Sequence, residues 1–298
     1  MKDACNLCLS DGFELVKSAL RDQGAEQKVY RCLACGHVQL LPRPTAEEDS
    51  AFYDANRQDR NRGKEIDYER LRLNNLFDTE RHVSLIKGLC ADKGSRILDI
   101  GAGYGFFVNR LYGAGYTKAM GIEVSEERRA MAVNRGRAEI IDFDVLSPGC
   151  DIGRFAIVTL FHVLEHMADP VAFLRGIKGL LSDGAVFVCE VPNVNELLLE
   201  RSKTYNDFYW IRAHLNYFSA KTLVDCFTKA GYAGVQMRFE QRYGLLNMCN
   251  WLSKGTPQID HPVFEIDGAY KPVEDFYREH LASMRKTDTI VAVAGLKK

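Results

Sequence analysis

The run Ile97-Leu98-Asp99-Ile100-Gly101-Ala102-Gly103-Tyr104-Gly105-Phe106-Phe107 constrains the fold more than any other stretch, because an apolar strand meets a glycine-rich turn and re-enters an apolar helix. Glycines at 101, 103 and 105 permit backbone conformations closed to residues with a side chain, and the helix that follows presents unpaired N–H groups. A corner of this kind cradles a nucleotide. The same Gly-x-Gly-x-Gly pattern also suits a tight strand-to-helix turn with no ligand.

Two acids narrow the choice. Ala119-Met120-Gly121-Ile122-Glu123-Val124 reads as a second strand that ends in a carboxylate placed for both hydroxyls of a ribose, with Val124 beside it. Asp99 stands at the end of the first strand, where it would repel a pyrophosphate and attract the ammonium of a methionyl group. Position 106, where a dinucleotide site carries its third glycine, is Phe. S-adenosylmethionine, cationic at sulfur and free of phosphate, fits these residues better than NAD.

Composition limits the partner. The chain has 298 residues, 46% hydrophobic and 27% charged, enough for one large domain and a small one. Lys+Arg 39 against Asp+Glu 40 leaves a net charge of −1, so no global positive field draws it to nucleic acid or anionic lipid. A small-molecule acceptor is the expected partner, nucleic acid and membrane are not, and a homodimer is compatible. Met1 to Cys5 holds no apolar leader, and no long apolar window follows, so a cytoplasmic location is expected.

Cysteine spacing identifies a second unit. Cys5-Asn6-Leu7-Cys8 and Cys32-Leu33-Ala34-Cys35-Gly36-His37 are paired Cys-x-x-Cys knuckles, which place four thiolates around one structural Zn2+, with His37 a bystander on the simple reading and a substitute for one cysteine ligand on the other. Redox chemistry would need one pair at a helix start. Strand segments between Phe13 and Val29 complete a ribbon too small to fold without its metal, expected to dock a substrate or partner. Cys90, Cys150, Cys189, Cys226 and Cys249 lie in apolar surroundings and read as buried and inert.

The domain reading is a ribbon over 1–45, a helical connector or cover over 46–90 opened by a Thr45–Glu48 capping box, and a cofactor domain over 91–298 with insertions near 193–218 and 241–287. Strands are expected near 96–101, 118–124, 138–141, 155–161, 184–191, 232–240 and 288–296. Helices are expected near 105–115, 125–135, 169–182 and 220–230. This alternation specifies an α/β fold, a doubly wound and mostly parallel seven-stranded sheet.

In such a sheet the ligand sits at the carboxyl ends of the strands. Asp142 and Phe143 follow the third strand, suited to the amine and ring of adenine, or form a surface loop. Phe161-His162-Val163-Leu164-Glu165-His166-Met167-Ala168-Asp169-Pro170 follows the fourth and offers a general base with its orienting acid, or a divalent-metal site. Glu165 capping a helix over a packed His166 is the structural alternative. Asn193 closes the fifth strand. Tyr209, Trp210, His214 and Tyr217 then form an aromatic stretch suited to sugar rings or to loop packing, and Tyr53 and Tyr68 of the connector are further acceptor-side candidates.

Leu98 to Phe107, Gly121 to Val124 and His162-Val163-Leu164-Glu165-His166-Met167-Ala168-Asp169-Pro170 together resemble the class I S-adenosylmethionine-dependent methyltransferases, over roughly residues 66–298. With the zinc unit in front and His214-Leu215-Asn216-Tyr217-Phe218-Ser219 behind, the chain resembles bacterial sugar and polysaccharide-pathway members. The resemblance implies a Rossmann-like fold in which Asp99 and residues 101–105 (Ala102 and Tyr104 included) hold the methionyl part, Glu123 and Val124 the ribose, and Asp142 and Phe143 the adenine, with Phe161 and His162 completing the site. Sugar C-methyltransferases with this unit carry Glu-His where Ala213-His214 stands, and a further C-terminal domain not seen here, which favours O-methylation of a nucleotide-sugar or glycan acceptor. Ubiquinone-pathway O-methyltransferases carry Glu-x-x-Glu-His as a metal site, with His162 here in place of the first glutamate. The base is sought in His214 or His166, oriented by Glu165 and His162. A ribosomal RNA base methyltransferase lacks the charge it would need here, and an inactive binding module would not require the intact glycines and acids.

Overall fold

The strand that opens the glycine turn, β4 (Ile97–Ile100), is buried along its whole length in a computed structural model that describes residues 4–21, 26–45, 47–49, 67–146, 151–258 and 268–296. It lies inside a seven-stranded sheet, parallel to both β5 (Ala119–Ile122) and β7 (Phe155–Phe161). β6 (Glu139–Ile141) continues one side and β8 (Leu181–Pro192) the other, again parallel. The alternating pattern does not disclose how the sheet ends. β11 (Thr289–Leu296) enters antiparallel between β8 and β10 (Tyr232–Glu240), giving the order β10-β11-β8-β7-β4-β5-β6.

Near-continuous apolar strands bury both faces of this sheet. Ile97, Ile157, Val188 and Val291 face α1 (Tyr68–Leu89) and α2 (Phe106–Gly113), meeting Val83, Ile86, Val108 and Leu111. Leu98, Val158, Phe187 and Ala292 face the other way, onto Leu174 of α4 (Pro170–Gly176) and Leu223 and Phe227 of α7 (Ala220–Ala230). The helix starts are fixed locally: Ser125 caps α3 (Glu126–Arg135), whose first turn carries Glu126 and Glu127, and Ser219 forms a capping box with Thr222 on α7. Asp169, not Glu165, caps α4 by accepting from Ala172 N–H at 2.8 Å. α4 is shorter than the 169–182 expected because a 3₁₀ turn, Ile177–Leu180, leads straight into β8. Two expected insertions are helical: α5 (Leu197–Arg201) and α6 (Lys203–Tyr209) occupy the first, α8 (Leu245–Lys254) and α9 (Lys271–Ser283) the second.

Ahead of this sheet, β1 (Phe13–Lys17), β2 (Lys28–Cys32) and β3 (Val38–Leu41) form an antiparallel meander. A fourth strand joins it from far along the chain: β9 (Asn216–Tyr217) pairs with β3, Gln39 opposite Asn216 and Val38 opposite Tyr217. Cys5, Leu7 and Cys32 pack into the same buried cluster as Leu98 and Phe155. The Thr45 capping box is present, with Thr45 N–H on Glu48 at 2.8 Å and Glu48 N–H on Thr45 Oγ1 at 3.2 Å. Among the described residues no helix is long and apolar enough to cross a membrane.

Candidate active site

The three glycines of the turn have positive φ, and they use it differently. A Cβ on Gly101 would come within 2.4 Å of Val163 Cγ2, and one on Gly105 within 2.6 Å of Ile140 Cδ1, so these two let the turn pack against its own protein. A Cβ on Gly103 would meet nothing within 4 Å. The open side of the turn is therefore at its middle glycine, where a ligand can reach the backbone. Ala102 N–H and Gly101 N–H both bond Ile122 O at 2.8 Å, tying the turn to β5.

Both acids flank that opening. Glu123 is buried and accepts from Gly103 N–H and Ser125 N–H, each at 2.8 Å, so one carboxylate braces the glycine turn and the start of α3 while retaining lone pairs for a ligand. Asp99 is 5% exposed and accepts from Thr159 Oγ1 at 2.7 Å. Burial pushes its carboxyl up to about 7, the Thr159 bond opposing and the Glu123 charge adding to the rise. A cation arriving beside Asp99 would remove that penalty.

The other residues expected on the cofactor side, and Tyr68 of the acceptor side, stand in varied surroundings. Val124 is 73% exposed. Asp142 reaches into solvent and pairs with Arg129 at 3.3 Å, while half-buried Phe143 lies on the main core. Tyr104 and Tyr68 both approach Phe106, with ring centroids at 6.0 and 5.2 Å. Phe161 has one face covered by His82, the rings 3.7 Å apart and 6° from parallel.

Beyond β7 the chain passes through His162 at φ 56, a left-handed conformation that costs energy for a residue with a side chain. The turn aims the imidazole between two carboxylates: Nδ1 lies 3.4 Å from Glu165 Oε1 and Nε2 3.1 Å from Glu190 Oε1. Burial and Arg242 push the His162 pKa down, but the Glu165 carboxylate beside it and its bond to Glu190 outweigh them and raise it. Glu165 is 1% exposed, and neither of its oxygens has a well-formed hydrogen bond. Against the cost of burial, His162 and the neighbouring histidines hold it down at about 2.

His166 donates from Nδ1 to Ala213 O at 2.6 Å, and its ring stands 5.0 Å from that of His214. Burial, then the nearby His166, lowers His214 to about 3, leaving a neutral imidazole. Donor atoms of Glu165, His166 and His214 lie within 4.8 Å of one another. A carboxylate with unsatisfied oxygens facing two imidazoles is a donor set that fits a divalent ion of the zinc or iron kind, or a proton-accepting centre.

A charge network behind His162 was not visible in the sequence. Arg81 grips Glu190 with two bonds, 2.7 and 2.8 Å, His82 Nε2 lies 3.1 Å from the same carboxylate, and Asp78 bridges Arg81 and Arg242. The available sign was Asp78, Arg81 and His82 at i, i+3 and i+4 on one helix, together with an acid near the end of an apolar strand.

Several acceptor-side expectations are corrected by packing. Asn193 is 1% exposed, donating to Thr287 O and accepting from Asn195 N–H. Trp210 and Tyr217 lie in a cluster with Val29, Val38 and Leu40, where Trp210 Nε1 donates to Asn206 and Tyr217 Oη exchanges bonds with the Ile211 backbone. Tyr209 differs, since its buried hydroxyl has no hydrogen-bond partner among the described residues. Tyr53 lies outside the described residues.

The Sγ atoms of Cys5, Cys8, Cys32 and Cys35 all lie within 4.8 Å of one another, with 3.5 Å between Cys5 and Cys35 and between Cys8 and Cys32. A tetrahedral zinc–thiolate site with bonds of about 2.3 Å has edges of about 3.8 Å, so the four residues fit that ion. Gly36 takes the turn at φ 78, and Leu7 N–H points at Cys5 Sγ. His37 lies outside the four-sulfur group, as expected of a bystander to the metal, and is fully buried and bonded to Asn216 at 3.0 Å. Of the other cysteines, Cys189 and Cys226 are buried as expected, Cys90 is half-buried and Cys249 is exposed; Cys150 lies outside the described residues.

The profile of the family described as "Methyltransferase domain" matches residues 58–237, more than half of the chain. The ubiquinone biosynthesis O-methyltransferase of Actinobacillus pleuropneumoniae serotype 5b (strain L20) is 28% identical over 105 residues, 32% of this chain and 44% of that protein. The protein of the same name from Dinoroseobacter shibae is 31% identical over 108 residues, 35% of this chain and 43% of that protein. The chain thus spans less than half the length of these curated relatives. A solved S-adenosylmethionine-dependent methyltransferase from Archaeoglobus fulgidus has a TM-score of 0.50 at 18% identity, covering 76% of this chain and 99% of that one, a likeness of fold.

Proposed function

Because this chain belongs to the methyltransferase-domain family, we propose that it moves the methyl group of S-adenosylmethionine to an oxygen of a small-molecule acceptor. The observation that carries the reading is the opening at Gly103 between buried Asp99 and Glu123, a cradle with one acid for an ammonium and one for a ribose. The curated relatives, named for O-methylation, favour oxygen over carbon or nitrogen. Their ubiquinone pathway stands beside the nucleotide-sugars and glycans suggested by the sequence, so phenolic and sugar hydroxyls are both acceptors to test.

When bound, S-adenosylmethionine supplies an electrophilic methyl group on sulfur. Asp99 and the turn hold its amino-acid end, Glu123 its ribose, and Asp142 and Phe143 border its adenine. The transfer is an in-line displacement, for which the protein aligns the acceptor oxygen and removes its proton. His214, half-buried and neutral, takes that proton, its low basicity in the free protein offset by the Glu165 carboxylate that balances the charge as it develops, with His166 held by Ala213 as its partner. A second reading is favoured by the unsatisfied oxygens of Glu165: the same three residues would hold a divalent ion that acidifies the acceptor hydroxyl. We propose further that the four N-terminal cysteines hold one structural zinc.

A labelled-methyl screen against phenols, nucleotide-sugars, glycans and RNA, with calorimetry of S-adenosylhomocysteine binding, tests the reading. Binding and transfer to a small hydroxyl acceptor are expected. Tight NAD binding with no response to S-adenosylhomocysteine would overturn it, and transfer to RNA alone would replace the acceptor class. Activity lost to a chelator and restored by ferrous iron, while the four-cysteine site keeps its zinc, selects the metal reading over the unaided base.

A further inference from the structure

The cysteine ribbon and the histidine cluster meet at one buried side chain. β9 is the last strand of the ribbon sheet, with Gln39 opposite Asn216 and Leu40 N–H on Leu215 O at 3.0 Å. His214 therefore sits on a segment whose backbone is held by the ribbon. Asn216 has no exposed surface, and both ends of its amide are used. Its Oδ1 accepts from Asn6 Nδ2 at 2.8 Å and faces His37 Nε2 at 3.0 Å, while its Nδ2 donates to Met167 O at 2.7 Å. An amide oxygen only accepts, so the His37 contact fixes a proton on Nε2.

These bonds close a ring. Asn6 lies inside the first cysteine knuckle, and its N–H is bonded to Gln39 Oε1 at 2.9 Å. His37 follows the second knuckle. Met167 follows His166, whose Nδ1 is bonded to Ala213 O, the residue before His214. The path from the knuckles through Asn216 thus reaches one histidine by the chain of β9 and the other through the Met167 carbonyl. With both ends of its buried amide engaged, Asn216 is held in a single arrangement, and a missing partner leaves it unsatisfied; Asn6 Oδ1 and His37 Nδ1 have no partner among the described residues.

We propose that Asn216 is a positioning residue through which the ribbon, folded around its four cysteines, sets the geometry of His166 and His214. The ribbon is on this view a part of the catalytic end of the sheet, not a separate docking module. The inference rests on the reading of those histidines as acceptor-side groups and of the cysteines as a zinc site. It predicts that disturbing the ribbon or Asn216 changes the histidines while the cofactor cradle, built on β4 and β5, stays as it is.

The test uses side-chain NMR of histidines in the full, zinc-loaded chain, a readout that needs no acceptor. Asn216→Asp keeps the oxygen for Asn6 and His37 but places an oxygen against the Met167 carbonyl; Asn6→Ala removes one ribbon-side bond. Both, and also removal of the ribbon zinc with a chelator, an effect that Cys32→Ser must reproduce, are expected to shift the His166 and His214 ring signals and to expose the His166 Nδ1 proton to exchange. S-adenosylhomocysteine affinity should stay within about threefold, zinc added back should restore the chelated chain, and turnover of an identified acceptor should fall about tenfold or more at unchanged KM for the methyl donor. Unchanged histidine signals in Asn216→Asp and in the zinc-free chain would overturn the proposal, as would loss of S-adenosylhomocysteine affinity in step with them. Responsive histidines in a chain that methylates nothing would count against the methyl-transfer reading and leave this coupling standing.

Discussion

With Asp99 facing the ammonium of the methyl donor, as proposed, cofactor affinity is expected to depend on pH in a calculable way. In the free protein burial raises its carboxyl to about 7, so near neutrality half the molecules carry a proton there. A bound ammonium needs the ionised form, and that proton must leave on binding. Each pH unit below 7 then weakens binding about tenfold, equal to about 1.4 kcal/mol, and above 8 the dependence vanishes. S-adenosylhomocysteine should accordingly bind about tenfold more weakly at pH 6 than at pH 8, with release of about half a proton per site at pH 7. Calorimetry in two buffers of different ionisation enthalpy measures both quantities. The sign for stability is opposite. The folded pKa lies above the unfolded value near 3.9, so the contribution to stability is complete below pH 4 and is lost as pH rises through 7, by up to about 4 kcal/mol. Asp99→Asn should therefore raise the melting temperature of the free chain at pH 8 while weakening S-adenosylhomocysteine and flattening its pH profile. Affinity constant between pH 6 and 8, with no buffer-dependent heat, would refute the reasoning.

The neighbouring glycines should separate binding from folding. Gly103→Ala places a methyl group in the open cradle at φ 54, and is expected to cost about 1 kcal/mol of stability yet weaken S-adenosylhomocysteine at least about tenfold in calorimetry. Gly101→Ala drives a methyl into Val163, and its larger loss, about 2 kcal/mol or more, should appear first as a lowered melting temperature. Glu190→Gln leaves Arg81 and the two histidines without their shared carboxylate, and denaturant titration should show a loss of about 3 to 5 kcal/mol; near-wild-type stability would mean water reaches that network. Cys32→Ser should take elemental analysis from one zinc per chain to none, and full zinc content in that variant would remove Cys32 from the ligand set. His214→Ala should lower turnover about 10²-fold or more with cofactor affinity held within about threefold, and unchanged turnover would assign the proton to another group.

Where the sequence was informative, a local pattern and a short-range cause coincided. β4, β5, β7 and the glycine turn were legible because strand periodicity, positive-φ glycines and paired Cys-x-x-Cys spacing are properties of adjacent residues. Contacts between distant segments left no such trace. β9 is two residues long, too short for any alternation, and it exists because β3 supplies its hydrogen bonds. The reversal of β11 leaves its apolar pattern unchanged, since a strand buried on both faces reads alike in either direction. Tyr217 and Trp210 looked equally suited to a sugar ring or to packing, and only the neighbours Val29, Val38 and Leu40 decide it. Asp78, Arg81 and His82 lie in a polar stretch whose composition gives no sign of burial, although Glu190 draws them into the interior. The proposed site combines both kinds of information: a glycine-and-acid cradle written in contiguous residues, and a cluster of Glu165, His166 and His214 assembled through bonds to Ala213, Met167 and the ribbon. Substitutions in the cradle should therefore act locally, while the acceptor side should respond to changes as distant in sequence as Asn6.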